Sequence, residues 1–142
     1  MRFTPTGIFL FCIGLAAPAG AAEVVVNVSG MTSAEGQIGC ALFAGPEGFP
    51  MDNAKAQVQW RPADPGGVTC RFVDVPDGTH AVAVSADLNG NRKLDTNILG
   101  IPKEPWGVSN NVRPRLRAPR FEEAAFTVSS GRDTTIDVKL AR

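Results

Sequence analysis

Apolar and polar residues alternate along much of this chain, most clearly near the two ends of its patterned region. Val24, Val26 and Val28 fall on one face of an extended segment. Residues 136–140 repeat the pattern, with apolar side chains at 136, 138 and 140 and polar ones between them. A two-residue period predicts strands that bury one face and leave the other in solvent.

Five further segments of the same character lie between these two strands, separated by short clusters of Gly, Pro and Asp. Such clusters are typical of turns that end a strand. The five predicted strands lie near residues 36–44, 55–61, 67–75, 79–87 and 124–130. Seven short strands without a long helical period predict an all-β fold, an antiparallel seven-stranded β-sandwich of immunoglobulin-like architecture.

Residues 88–120 interrupt this regular pattern. The segment has no convincing strand and is rich in Asn, Pro, Gly and Arg. Loops of this length in a compact domain are usually functional or disordered. Because its first half carries side chains suited to chemistry, we expect one long ordered loop.

The first 22 residues have the order of a secretory signal peptide. Arg2 gives the start a positive charge, residues 7–17 are uncharged and mostly apolar, and residues 19–22 are all small. The small residues form an A-x-A-like site, which predicts cleavage before Ala22 or Glu23. The apolar run of about a dozen residues is short of the roughly 20 that a spanning helix needs. An uncleaved anchor is the alternative.

Removal of residues 1–22 leaves residues 23–142, a length that fits a single domain. The expected location is the periplasm or the extracellular medium, with no membrane span in the mature chain. The whole chain carries 14 basic and 14 acidic side chains. Because these charges balance, composition predicts no nucleic-acid or membrane partner.

Two cysteines, Cys40 and Cys70, follow the predicted signal peptide. Strand alternation places Cys40 on the same face as Ile38 and Leu42, and it also turns Cys70 toward the core. An oxidising compartment favours a disulfide between them. Two buried free thiols are the alternative, because a shared face does not prove that the residues are adjacent.

The long loop opens with oxygen-bearing side chains at alternate positions, Asp87, Asn89 and Asn91, followed by Asp95. Calcium is held by six to eight oxygen atoms from flexible loops, and the backbone carbonyl of Lys93 would supply one more. The spacing parallels positions one, three, five, seven and nine of an EF-hand loop. These five residues are therefore a candidate calcium site.

Two departures from the EF-hand pattern predict low affinity for calcium. Arg92 stands at position six, where an EF-hand has Gly, and Ile98 stands at position twelve, where it has a bidentate Glu. We expect a dissociation constant of about 10⁻⁴–10⁻³ M, as in extracellular modules. The alternative is that the Asp and Asn residues only build a turn.

The second half of the loop carries a different set of candidates. Trp106 offers an aromatic face to a sugar or another flat ligand, although a tryptophan in this position also suits the end of a sandwich core. Arg113, Arg115 and Arg117 follow without an acidic residue among them. Guanidinium groups bind phosphates and carboxylates bidentately, so these residues form a candidate ligand-binding surface. A solvated basic loop is the alternative.

Signals for catalysis are weak. Alternation places His80, the only histidine, on the core face of its strand, so we interpret it as a core residue. The sequence contains no zinc-protease, nucleophile-elbow or nucleotide-binding signature. A hydrolase would need carboxylates that folding brings together, such as Glu104 with Glu122 or Glu123. The chain is therefore predicted to be non-catalytic, with a small carboxylate-dependent hydrolase as one alternative.

Several motifs resemble a secreted bacterial family catalogued as domain of unknown function 2141. They are VPDGTHAVAV (75–84), DLNGN (87–91), LDTN (94–97), LGIPKEPWGVSNN (99–111) and FEEA (121–124). The sequence departs from the family pattern at His80, where Tyr is usual, at Ser85-Ala86, where an aromatic-His pair is usual, and at Arg92, where Gly is usual. The resemblance implies a compact exported β-sandwich, similar to transthyretin-like or carboxypeptidase-regulatory-like modules, and implies no particular activity.

Together these observations predict an exported binding or accessory module with a low-affinity calcium site in the 87–97 loop. A metal-independent anion- or glycan-binding surface on the 103–120 loop is the first alternative. Its partner would be a glycan or a protein of the cell envelope.

Overall fold

The computed structural model describes residues 20–142, so most of the predicted signal peptide lies outside the described residues. The described chain is all-β, with eight strands and little helix. In chain order the strands are β1 (Ala22–Ser29), β2 (Gln37–Phe43), β3 (Gln57–Pro62), β4 (Val68–Val75), β5 (Gly78–Asp87), β6 (Trp106–Val108), β7 (Phe126–Val128) and β8 (Thr134–Lys139). One helical turn, α1 (Phe121–Ala124), and two 3₁₀ turns, Asn53–Lys55 and Ser109–Asn111, complete the secondary structure of this part of the chain.

The strands form two sheets. The three-stranded sheet has the order β4-β1-β8, and the five-stranded sheet has the order β3-β2-β5-β6 with β7 paired to β5. Two details of the expected sandwich are wrong: there are eight strands instead of seven, and the β1–β8 pair is parallel. The last strand crosses from the neighbourhood of β7 to the other sheet and enters beside β1 in the same direction.

The unpredicted strand, β6, lies inside the segment that showed no strand pattern. Three residues are too few to show a period, and its pairing comes from distant parts of the chain. Trp106 donates its backbone N–H to the carbonyl of Ala141 at 3.0 Å and accepts one in return at 3.1 Å. Gly107 is required here, because a Cβ at this position would lie 2.7 Å from the carbonyl oxygen of Lys139.

The main core lies between the two sheets. The alternating valines of β1 and the apolar residues of β4 face those of β2 and β5, as the two-residue period predicts. A disulfide joins Cys40 of β2 to Cys70 of β4, and both residues are fully buried. The predicted pairing is confirmed, and the bond connects the two sheets through the middle of the core.

A second apolar cluster covers the outer face of the five-stranded sheet. Ala41, Phe43 and Ala81 point away from the main core and are buried under Phe121 of α1 and Phe49 of the loop between β2 and β3. The Phe49 ring meets both other phenylalanine rings edge to face, at centroid distances of 5.2 and 5.9 Å. Part of this sheet is therefore buried on both faces.

His80 is buried, with 3% of its surface exposed, and its Nδ1 lies 3.2 Å from the Gly78 carbonyl oxygen. Its interpretation as a core residue is confirmed. Within residues 20–142, no helix has the length and apolar character needed to cross a membrane.

Candidate ligand-binding cleft

A cleft of about 700 Å³ lies on the outer face of the five-stranded sheet, beside the second apolar cluster. Its floor includes Gly39 of β2, Ala83 and Ser85 of β5, and Trp106 of β6. Because Gly39, Ala83 and Ser85 have small side chains or none, the surface of the sheet is recessed at this point. Clefts of roughly 300–1,000 Å³ are the usual size for small-molecule sites.

The floor follows one row of cross-strand neighbours. Gly39 pairs with Trp60 on one side and with Ser85 on the other, and Ser85 pairs with Trp106. Trp60 leans over Gly39, where an added Cβ would lie 2.6 Å from the indole ring. The two tryptophans thus stand at either end of a row whose middle positions carry almost no side chain.

Two segments form the walls of the cleft. The first is the strap, which we define as residues 113–120 and which contributes Leu116. The second is the opposite wall, residues 94–102, which contributes Leu99 and Ile101. The opposite wall folds back on itself, because Asn97 donates its backbone N–H to the Ile101 carbonyl and its Oδ1 accepts from Leu99 and Ile101.

The four ligand-binding residues predicted from the sequence, Trp106, Arg113, Arg115 and Arg117, all line this cleft. Arg113 lies over the Trp106 ring, with its guanidinium carbon 4.1 Å from the ring centroid. Its guanidinium also donates a hydrogen bond to the Trp106 carbonyl. Partial burial of Arg113 lowers its pKa from the ordinary value through desolvation.

Arg117 has a different role, because its charge is already paired. It donates two hydrogen bonds to the Glu123 carboxylate, at 2.7 and 2.9 Å, and Glu123 also accepts the backbone N–H of Arg120. The hydrogen bond from Arg117 is the main reason that the pKa of Glu123 is lowered to about 2. The same pair raises the pKa of Arg117 and fastens the strap to α1.

Of the three strap arginines that line the cleft, Arg115 is the one without such a tie. Within residues 20–142, its side chain makes no hydrogen bond and no ion pair. None of the residues lining the cleft carries a carboxylate side chain. The charge of Arg115 is therefore available to an anion that enters the cleft.

The residues predicted to bind calcium form a compact hydrogen-bonded loop, which we call the Asp87 loop (residues 87–95). Asp87 is only 1% exposed, and its two carboxylate oxygens accept the backbone N–H groups of Gly90 and Arg92 at 2.9 and 2.8 Å. Arg92 takes a left-handed conformation with a φ of 56°. Its guanidinium lies 5.5 Å from the centroid of Trp60.

The other oxygen-bearing side chains of the Asp87 loop are also engaged. Asn89 and Asn91 each accept a backbone N–H from two residues ahead, and their amide nitrogens donate to the Asp95 carboxylate. These bonds account for the four side chains as turn-forming groups. To bind a calcium ion, both amides would have to turn their oxygen atoms toward Asp95, and the carbonyl of Lys93 would have to face the same point.

Glu104 is an additional part of this region that the spacing did not reveal. It is 5% exposed, and its carboxylate accepts the backbone N–H of Leu88 at 2.9 Å and that of Asp95 at 3.3 Å. In the described part of the chain, no three His, Cys, Asp or Glu side chains form a group able to hold a metal ion. Calcium binding stays a prediction. The hydrolase alternative also stays a prediction. In the structure, the Glu104 carboxylate accepts the backbone N–H of Asp95, whereas the Glu123 carboxylate accepts from Arg117.

Apart from Trp106, sequence reasoning missed the floor of the cleft, and it missed the opposite wall. Gly39 and Ser85 are far apart in the sequence, and only cross-strand pairing brings them together. Leu99, Ile101 and Leu116 carried one weak signal, because each is a large apolar residue in an otherwise polar and Pro-rich segment.

These features define a small all-β protein of two packed sheets, joined by a buried disulfide and bearing an apolar, arginine-lined cleft on one outer face. A family model described as an uncharacterized protein conserved in bacteria (DUF2141) matches residues 26–137, well over half of the chain, and the chain belongs to this family. The resemblance noted in the sequence is therefore confirmed. No curated protein and no solved structure matches the chain.

Proposed function

We propose that this protein is an exported, non-catalytic binding module and that the cleft is its ligand site. One observation carries the proposal: Trp106 and the three arginines chosen from the sequence as ligand-binding candidates line the same cleft. Apolar lining with a few convergent polar groups is typical of small-molecule sites. Catalysis is not needed to explain any of these residues.

The metal-independent form of this function has the better support. The cleft is built from sheet residues, the strap and the opposite wall, and its arginines attract anions without a metal. The Asp87 loop contributes indirectly, because the Asp95 carbonyl accepts the Lys103 N–H at 2.8 Å and so helps to fix the end of the opposite wall. Calcium would add rigidity to this wall, and its binding is a separate proposal.

Export is the second part of the proposal. The Cys40–Cys70 disulfide supports it, because cytosolic thiols are normally kept reduced. Ala22 is 1% exposed and pairs with Val75, so cleavage before Ala22 would preserve the whole of β1. We expect the mass of the processed protein to correspond to a chain that starts at Ala22. A full-length mass would contradict cleavage.

The relationship to transthyretin-like and immunoglobulin-like modules also belongs to this proposal. Two sheets that face each other across a valine-rich core support it, whereas the parallel β1–β8 pair departs from a purely antiparallel sandwich.

The binding proposal is tested with 8-anilinonaphthalene-1-sulfonate, a fluorescent organic anion that prefers apolar sites. We expect saturable, one-to-one binding to the folded mature protein. Ser85→Phe fills the floor of the cleft and is expected to weaken binding at least about tenfold, which corresponds to 1.4 kcal/mol. Thr79→Phe is the matched control, because Thr79 is an exposed residue on the same strand and the same face, about 20 Å away.

The control variant is expected to bind like the unmodified protein. Equal weakening by both variants, or the absence of saturable binding, would contradict the proposal. Circular dichroism of each variant establishes that the sheets are intact before affinities are compared.

A further inference from the structure

We infer that the ligand of the cleft is a single-chain anionic amphiphile, an unbranched alkyl chain ending in a carboxylate, sulfate or phosphate. This inference rests on the proposed function, because it names the class of ligand for the same cleft. Three features carry it: two aliphatic walls, a tryptophan ring that is already covered, and an arginine that is free to pair.

The walls are aliphatic and open to solvent. Leu99 and Ile101 on the opposite wall are 76% and 56% exposed, and Leu116 on the strap is 99% exposed. Large apolar side chains grouped on a surface mark places where another apolar body binds. An alkyl chain lying between the two walls would cover side chains on both sides at once.

The Trp106 ring is a poor platform for a sugar or an aromatic ligand. The guanidinium of Arg113 covers one of its faces, and the ring packs against the second apolar cluster. The remaining apolar lining comes from Leu, Ile, Val, Met, Pro and Ala residues. The lining therefore favours an aliphatic ligand over a flat one.

The charge of the cleft selects an anion. Four arginines line it, three on the strap and Arg142 beside them, and no carboxylate side chain does, although the chain as a whole has balanced charges. Glu123 already pairs with Arg117, and Arg113 is held against Trp106. Within the described part of the chain, Arg142 also lines the cleft without either kind of contact. Arg115 lies next to Leu116 on the strap, so it is the residue expected to hold the head group, as guanidinium groups bind carboxylate, sulfate and phosphate oxygens in pairs.

The test uses sodium dodecanoate below its micelle-forming concentration and measures binding by calorimetry. The chain has two tryptophans, so the Trp60→Phe variant leaves Trp106 as a fluorescent reporter at the cleft. We expect saturable binding, a change in Trp106 fluorescence, and displacement of 8-anilinonaphthalene-1-sulfonate. Dodecyltrimethylammonium, with the same chain and the opposite charge, is expected to bind at least about tenfold more weakly.

Two substitutions separate the head group from the chain. Arg115→Gln is expected to weaken dodecanoate binding about 10- to 150-fold, the usual effect of losing a hydrogen bond to a charged group. Its control is Arg132→Gln, at an exposed arginine in the turn before β8. Leu116→Ser is expected to weaken binding of the chain, with Val73→Ser, a 64% exposed position on β4, as its control.

Each contrary outcome has a distinct meaning. If the sulfonate dye binds in the cleft and dodecanoate does not displace it, the ligand class is wrong and the proposed function stands. If neither binds, both fall. Equal binding of the cationic amphiphile, or unchanged affinity in Arg115→Gln, would overturn the inference.

Two other occupants of the cleft would also overturn it. Binding to anionic phospholipid vesicles without binding of monomeric dodecanoate would indicate a membrane surface. A concentration-dependent dimer that Leu116→Ser abolishes, together with no binding of monomeric dodecanoate, would indicate a second copy of the chain.

Discussion

Breaking the Cys40–Cys70 bond is predicted to cause a large loss of stability. The bond joins β2 of one sheet to β4 of the other, across a sequence separation of 30 residues. Without it, the unfolded chain regains the freedom that the closed loop denies it. The loop-closure relation gives a loss of about 3.6 kcal/mol at 25 °C for a loop of this length. This is a large share of the roughly 5–15 kcal/mol that stabilises a typical domain.

Urea unfolding of the mature protein, with and without a reducing agent, measures this loss. A urea dependence of about 1–3 kcal/mol per molar predicts that reduction lowers the midpoint by roughly 1–4 M. The Cys40→Ala/Cys70→Ala variant serves as a control for the reducing agent itself, because its midpoint should not respond to the agent. The slope of the transition reports whether the unfolded state has also changed.

Two results would refute this reasoning. Identical midpoints with and without reducing agent would show that the bond does not constrain the unfolded chain. Two reactive thiols in the unfolded, unreduced protein would show that the bond does not form at all.

Three further predictions concern the strap, the cleft floor and the Asp87 loop. The pKa of Glu123 is lowered to about 2, so its ion pair with Arg117 is complete above the ordinary pKa of 4.5 and is lost as the pH falls toward 2. An NMR titration of the Glu123 carboxyl measures this pKa. A titration midpoint near 4.5 would contradict the ion pair. Gly39→Ala places a methyl group against the Trp60 ring and is expected to lower the free energy of unfolding by about 1–3 kcal/mol in urea, whereas Gly45→Ala, with nothing within 4 Å, should have no such effect. Millimolar calcium is expected to give binding heat in calorimetry with a dissociation constant of about 10⁻⁴–10⁻³ M, lost in Asp95→Asn; no heat in the unmodified protein removes the calcium site.

The sequence predicted those strands in which apolar and polar residues alternate clearly. β1, β4 and β5 lie almost where alternation places them, because each buries one face in the main core. The strand β6 has three residues and no period, and its existence depends on Ala141 and on β5. The parallel pairing of β8 with β1 could not be predicted either, because alternation shows which face of a strand is buried and not which strand lies beside it.

The candidate site was predictable in part, and for a similar reason. Trp106 and Arg115 carry their own chemical signal, so their residue types and their position in the long loop singled them out as ligand-binding residues. Gly39 and Ser85 signal nothing by themselves, because their contribution is the absence of a side chain at neighbouring positions of the sheet. Glu104 entered the sequence analysis only as a member of a possible carboxylate pair, and its hydrogen bonds to the Asp87 loop had no sequence signal.

The cleft lies at the edge of the second apolar cluster, on the outer face of the five-stranded sheet. At one end of the five-stranded sheet, Phe43 and Ala81 on the outer face are buried beneath α1 and Phe49. Toward the other end, the same face carries Gly39 and Ser85, and the strap and opposite wall stand beside it without covering it. The second apolar cluster therefore covers only part of this sheet face, and the part at the cleft stays accessible to a ligand. A ligand bound there would extend the second apolar cluster across the sheet, so ligand binding would complete the apolar covering of this face.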